Sequence, residues 1–266
     1  MTEISAALVK QLRDATSAGM MDCKRALQET NGDFDQAVTL LREKGMASAA
    51  KRADRSTSEG KVGVEVHENV GALVAIGCET EPVSNNDDFL AYAESVLHAV
   101  YAGGADAVAE LDAQRVELAA KLGENIQVLG AKRLTAADDE LLQYYVHGPA
   151  NKVGALVHAR GTDAQAARSL ALHLTFARPT YAVRDEVPEE LVAAERAILE
   201  ASDEVQSKPE NVREKIVAGM LNKRFYGESV LTEQTWYRPD ESTATVAQVL
   251  KERGLELLDY AWYSVS

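Results

Sequence analysis

Apolar residues recur at helical spacing through residues 4–45 and then give way to alternation, and this change of period divides the chain. Leu8, Leu12 and Ala15 share one face of a predicted first helix, with Ser5 placed as its N-cap. A break at Ser17-Ala18-Gly19 precedes a second helix, which opens at Met20 and Met21, buries Cys23, Ala26 and Leu27, and stops at Asn31-Gly32. A third starts at Asp33 with Gln36 as its capping-box partner, carries Ala37, Leu40 and Leu41, and ends at Gly45. So small a module has interior room for one of Met20 and Met21. The other is expected on the surface, where an unbranched, polarizable side chain suits a protein partner. Residues 46–60 read as a helical connector.

From Lys61 the period shortens to two. Lys61–His67 and Ala72–Cys78 are valine-rich and alternate, so they are predicted as paired strands, with Asn69 and Gly71 in or near their turn. A polar loop, Glu79–Asp88, leads to a helix over Phe89–Ala102. Helix is expected again over Ala105–Gly123, strand over Asn125–Leu134 and strand over Gln143–His147, closed by a turn at Gly148-Pro149. Val70-Gly71-Ala72-Leu73-Val74 recurs letter for letter as Val153-Gly154-Ala155-Leu156-Val157. Each copy runs from strand through loop into a helix bearing a Leu-His pair, Leu97-His98 and then Leu172-His173. The same element order after the same pentapeptide points to an internal duplication. The loop of the first copy is the longer, and long loops on rigid scaffolds carry function.

Beyond the second copy, Leu191, Ala194, Ile198 and Val205 form an apolar stripe along a helix predicted over Val187–Val205. Ser207-Lys208-Pro209 breaks it, and Asn211–Phe225 carries Val212, Ile216, Met220 and Leu221. Two such stripes can bury each other in a short antiparallel coiled coil. A helix over Thr245–Arg253 and a strand over Leu255–Val265, with Tyr260 and Trp262 on one face, complete the pattern. The expected fold class is therefore α+β.

Composition narrows what such a protein does. The 266 residues carry a net charge of −14, with 26% charged and 46% hydrophobic, as in soluble globular proteins. A surface this acidic repels phosphate backbones, so no direct nucleic-acid partner is expected. No apolar run approaches the roughly 20 residues of a membrane span, and no leader pattern stands at the start, so the expected location is the cytoplasm. Cys23 and Cys78 lack metal-ligand spacing and read as reduced, buried thiols. The sequence contains no GxxxxGK(S/T) loop, GxGxxG turn, HExxH helix or GxSxG elbow. Its five histidines, His67, His98, His147, His158 and His173, are scattered. The acid pairs Asp87-Asp88 and Asp138-Asp139 read as solvated loop residues. His98 and His173 fit either helix-packing positions or partner contacts. Neither cofactor, metal nor covalent chemistry is expected.

Particular residues carry a family resemblance. Leu8-Val9-Lys10, the run Ala18-Gly19-Met20-Met21-Asp22-Cys23-Lys24, Ala26-Leu27 and Asn31-Gly32-Asp33 are similar to the N-terminal module of elongation factor Ts. His147-Gly148, Lys208-Pro209 and Val230-Leu231 also match, and the resemblance runs from residue 4 to the end. It implies a ubiquitin-associated-like module over 1–45, a connector over 46–60, and core subdomains over 61–140 and over 141–186 with 228–266. A protruding helical hairpin would occupy 187–227. The implied activity is guanine-nucleotide exchange on elongation factor Tu: binding the GDP form, disturbing its Mg²⁺ and phosphate site, and holding the nucleotide-free state until GTP enters. Met20, Met21 and Lys24 would meet a helix of the GTPase. Thr80, Glu81, Pro82 and Val83 stand where the family carries Thr-Asp-Phe-Val, the loop that acts near the Mg²⁺. His173 matches a family histidine facing the partner's third domain. Pro82 replaces a large flat ring with a small one, Glu81 reaches one methylene further than aspartate, and Ser17 replaces a glycine. The alternative is a divergent paralogue that binds or sequesters a specialised elongation factor Tu with weak or altered exchange. The hairpin is compatible with a homodimer or a heterotetramer.

Overall fold

The computed structural model describes residues 4–16, 18–238 and 240–265, so Ser17 lies outside it. In chain order the helices and strands are α1 Ala6–Thr16, α2 Met20–Glu29, α3 Phe34–Ala50, β1 Glu59–His67, β2 Val70–Cys78, α4 Glu81–Ser84, α5 Asp87–Gly103, α6 Asp112–Leu122 and β3 Gln127–Thr135. They continue as β4 Glu140–Val146, β5 Val153–Arg160, α7 Ala164–Ala177, α8 Glu189–Ala201, α9 Asp203–Gln206, α10 Glu210–Met220, α11 Gly227–Ser229, α12 Val246–Glu252 and β6 Glu256–Ser264. The α+β class expected from the sequence is the one observed.

The first three helices close on Val9, Leu12, Cys23, Ala26, Leu27 and Ala37. Ser5 caps α1 through its hydroxyl, which accepts the Leu8 N–H at 3.1 Å. Val9 takes the inward place expected of Ala15, which is exposed. Asp33 accepts the Gln36 N–H at 3.0 Å as predicted, but α3 does not stop at Gly45. It continues to Ala50 because Gly45 serves as a contact point: a Cβ there would lie 2.9 Å from the Ala120 Cβ of α6. The predicted polar loop after β2 likewise contains one helical turn, α4.

The rest is built on two antiparallel three-stranded sheets, ordered β1-β2-β3 and β4-β5-β6. The repeated pentapeptide opens the middle strand of each. Period-two geometry then sorts its side chains. Ala72 and Val74 join the cluster under α5 and α6, and Ala155 and Val157 the one under α7 and α12. Leu73 and Leu156 face the other way, into a shared core with Val62, Leu134, Leu142 and Ala261. Both leucines are fully buried, which stabilises the pairing of the sheets by about 1.5–3 kcal/mol each. The glycines face that core too. A Cβ on Gly71 would come within 3.1 Å of Leu156, one on Gly154 within 2.9 Å of Val62, and one on Gly130 within 2.5 Å of the Tyr263 ring. The result is a helix-sheet-sheet-helix stack. It is pinned at one end by Val62 N–H donating to Asn151 O at 2.7 Å and by the Lys152–Glu59 ion pair at 2.5 Å.

The helical hairpin departs from its predicted register. Ser202 adopts an extended conformation (φ −68°, ψ 144°) that splits the expected long helix into α8 and α9. Leu191 and Ile198 are exposed, at 46% and 63%, and Ala194 is exposed as well. The inward row of α8 lies one residue further round, at Val192, Glu195 and Leu199. The hairpin core is Leu199, Val205, Val217, Met220 and Leu221, the last opening a wide π-helical turn. The stripe read as buried is the solvent face of α8, with only Val205 of that set inside.

Two glycines test this packing by opposite signs. Gly130→Ala forces a methyl into the Tyr263 ring and is expected to lower stability by about 1–3 kcal/mol. Gly219→Ala, on α10 with open space around it, is expected to raise it by about 0.5–1 kcal/mol through helix propensity. Urea unfolding of both variants reads the difference; an unaffected Gly130→Ala protein would contradict the close approach of the sheets.

Candidate partner-binding surfaces

The segment that leaves β2 is held by a carboxylate from across the sheet. Strands β2 and β3 pair with Gly77 opposite Gln127, which sets the residues after β2 beside those before β3. Glu124 therefore meets the loop. Its Oε2 accepts the N–H groups of Glu79 and Thr80 at 3.0 and 3.1 Å, and its Oε1 accepts the Thr80 hydroxyl at 2.5 Å. Glu79 accepts the Asn125 N–H in return, at 2.7 Å, and pairs with Arg55 at 3.3 Å. The buried Asn125 amide donates to Ala53 O and Arg55 O, so the connector after α3 is tied into the same knot. Cys78 closes it from below, its thiol donating to Thr80 O at 3.3 Å. Burial, and then the Glu124 charge, push that thiol up to about 12, so it stays protonated and unreactive.

On this base stands α4. Pro82 occupies its first turn, where a missing N–H leaves no helical hydrogen bond unmade. The Ser84 hydroxyl and Asn85 amide both donate to Glu81 O, at 2.8 and 3.1 Å, and Lys61 donates to Asn85 Oδ1 at 2.9 Å. Thr80, Glu81 and Pro82 are exposed, while Val83 packs half-buried on the core under α5. What projects is a carboxylate and a proline ring on an immobilised turn. Glu124 and Asn125 were missed in the sequence, although their position follows once β3 is placed beside β2.

In the N-terminal module both methionines are outside. Met20 is 45% and Met21 65% exposed, and Lys24 is exposed one helical turn on. The expectation that one methionine fills the core fails because Cys23, Ala26 and Leu27 already complete it against α1 and α3.

His173 lies beneath the surface, at 1% exposure. Its Nδ1 accepts the Tyr237 N–H at 3.1 Å, so Nε2 carries the proton and donates to Gln234 Oε1 at 2.9 Å. Burial holds the imidazole below its ordinary value and outweighs the Gln234 hydrogen bond. Both ring nitrogens are occupied, and Trp236 stacks at 5.9 Å. The surface above belongs to Phe176 and Tyr237, each 42% exposed, with rings stacked 4.4 Å apart and His147 edge-on to Phe176 at 5.1 Å. This aromatic ridge had no sequence signal, since its members come from α7, the end of β4 and the segment before α12.

Among the described residues, no hydrogen bond or ion pair joins the three surfaces to one another, and no group of three or more His, Cys, Asp or Glu side chains could hold a metal ion. No helix among them is long and apolar enough to cross a membrane. Residues 79–266 match the model of a family described as Elongation factor TS, which sets the chain among translation elongation factors. Relatives named Elongation factor Ts extend the likeness to the whole length. The one from Clavibacter michiganensis subsp. michiganensis is 39% identical, covering 100% of this chain and 99% of its own. That from Saccharopolyspora erythraea is 40% identical with the same coverage, and that from Escherichia coli O139:H28 is 36% identical over 100% of this chain and 92% of its own. The chain belongs to the elongation factor Ts family.

Removing the clamp should loosen the turn locally. Glu124→Ala is expected to speed amide hydrogen exchange at Glu79 and Thr80 by about tenfold or more, while β2 stays protected. His173 gives a pH signature. Below the ordinary imidazole value of 6.5 the unfolded chain takes up a proton that the folded one refuses, so acidification costs stability. His173→Gln is expected to flatten that decline by up to about 1.4 kcal/mol per pH unit, read by urea midpoints between pH 7 and 5.

Proposed function

We propose that this chain is a guanine-nucleotide exchange factor of translation elongation, acting on elongation factor Tu in its GDP-bound and nucleotide-free states in the cytoplasm. The observation that carries the reading is the exposed Thr80–Val83 turn, held by the Glu124 clamp. A partner that prefers the empty GTPase must weaken GDP, and GDP must weaken the partner by the same factor. Differential contact is enough, and no covalent step is needed. A rigid turn loses little entropy on insertion, so its contacts go into displacing Mg²⁺ and phosphate rather than into ordering the loop. Glu81 supplies the negative charge, Pro82 the wedge, Thr80 the anchor and Val83 the packing to the core. Met20, Met21 and Lys24 form an adaptable apolar face with a cationic edge for a helix of the GTPase. His173 acts from beneath, by holding the backbone of Tyr237 under the aromatic ridge that meets the partner's third domain.

The domain reading goes with this: a ubiquitin-associated-like module over 1–45, two core subdomains derived by duplication, and a hairpin over 187–227 inserted in the second. The small ring of Pro82 favours a second reading, a specialised paralogue that binds or sequesters its GTPase with altered exchange.

Release of labelled GDP from elongation factor Tu decides between them. Micromolar protein is expected to accelerate release; no acceleration would overturn active exchange. Pro82→Phe is expected to speed release further with binding little changed. If the natural protein binds without speeding release and only Pro82→Phe gains that activity, the sequestering reading holds.

A further inference from the structure

The chain leaves α7 through a backbone conformation that its own residue does not favour. Arg178, just past the helix, is left-handed at φ 46° and ψ 56°. Glycine and asparagine suit that region, and Asn31 and Asn151 occupy it elsewhere in this chain. Arginine lacks the short polar side chain that eases it, and the following Pro179 restricts the backbone further.

The surroundings hold that conformation in place. The Arg178 N–H donates to Leu174 O at 3.1 Å. On either side, Ala177 O accepts from the Gln234 amide at 3.3 Å and Pro179 O from the Trp262 indole at 3.0 Å. Gln234 is 4% exposed and also accepts the His173 Nε2 proton. One buried amide thus positions both the base of the aromatic ridge and the backbone beside Arg178.

The guanidinium stays outside. Arg178 is exposed, and its Nε donates to Thr175 O at 3.3 Å, the carbonyl whose peptide bond leads into Phe176. The head group is therefore anchored next to the ridge. Among the described residues, Nη1 and Nη2 have no acceptor and no carboxylate pairs with them. Arg184 and Arg238, further along the chain, are by contrast paired, with Glu233 and with Asp240 and Glu241. In a chain of net charge −14, an arginine without a counterion, kept where its backbone is disfavoured, points to a counterion on another molecule. A planar fork already held by its Nε loses little freedom on meeting a carboxylate. The same net charge repels a phosphate backbone, and the stacked Phe176 and Tyr237 rings call for an apolar neighbour.

We propose that Arg178 is a partner-recognition residue that grips an aspartate or glutamate beside an apolar side chain of the partner, a proposal that rests on the reading above that this ridge meets elongation factor Tu. The left-handed turn aims the fork, and the Gln234 network keeps it in register with Phe176 and Tyr237.

Calorimetry with nucleotide-free elongation factor Tu and urea unfolding of the full chain test it together. Arg178→Gly relieves the left-handed strain and removes the fork. Its urea midpoint is expected at or above that of the natural protein, while its affinity falls about tenfold and the deficit narrows in high salt. A lower midpoint would make the arginine a helix cap and overturn the proposal. Unchanged affinity, or a deficit that salt does not narrow, would overturn it too and leave the exchange reading standing. If the natural protein does not bind at all, both fall.

Discussion

Two sheets can lie face to face this closely only where side chains are missing. Gly71, Gly154 and Gly130 leave the gaps that Leu156, Val62 and Tyr263 fill. The pentapeptide shared by β2 and β5 therefore has a physical meaning. Its glycine and leucine face the opposing sheet, and its alanine and second valine face the covering helices, so one short string specifies both contacts of a middle strand. Because the same string opens both sheets, each glycine receives a bulky residue from the other, and the two halves interlock rather than merely touch.

The Thr80–Val83 turn inherits its rigidity from that arrangement. A fully buried middle strand has fixed ends, and β2 delivers Cys78 and Glu79 to a defined place beside the start of β3. Glu124 can then accept from two backbone N–H groups and a hydroxyl without first ordering a loop. The negative charge that does this also suppresses ionisation of Cys78, so a nucleophilic residue at the root of the turn is chemically silent. The turn itself carries only shape and charge.

Much of this was legible in the sequence, and the failures share a cause. Five of the six strands were read directly from the pattern along the chain, and β5 followed from the repeated pentapeptide. Helix ends were read well where a local cap decides them, as at Asp33 and Thr245. They were misread where tertiary packing decides, as at Gly45, whose lack of a Cβ serves contact with α6 rather than termination. On α8 the most apolar row, Leu191, Ala194 and Ile198, suggested burial, yet the row that turns inward carries Glu195 in its middle. A stripe records which face is apolar, and only the partner helix determines which face is covered. Met20 and Met21 show the same limit from the other side: the module's volume is filled by Cys23, Ala26 and Leu27, which are smaller or equal in bulk, and both methionines remain for the surface. The Glu124 clamp and the aromatic ridge were invisible because each needs residues far apart in the chain to be neighbours.

The paired histidines show how equivalent positions come to do different work. His98 and His173 follow the same leucine on the helix after each repeated strand. His98 stays on the surface, its side chain 60% exposed beside Glu65 at 3.7 Å. His173 is covered by Gln234, Trp236 and Tyr237 from the segment between α11 and α12, which has no counterpart over α5. That added layer converts the outer face of α7 from solvent-facing polar helix into a support, and it lifts Tyr237 into a stack with Phe176. The first half thus presents a loop and the second an aromatic surface built over its helix. One architecture thus carries two different outer surfaces because one half was covered and the other was not.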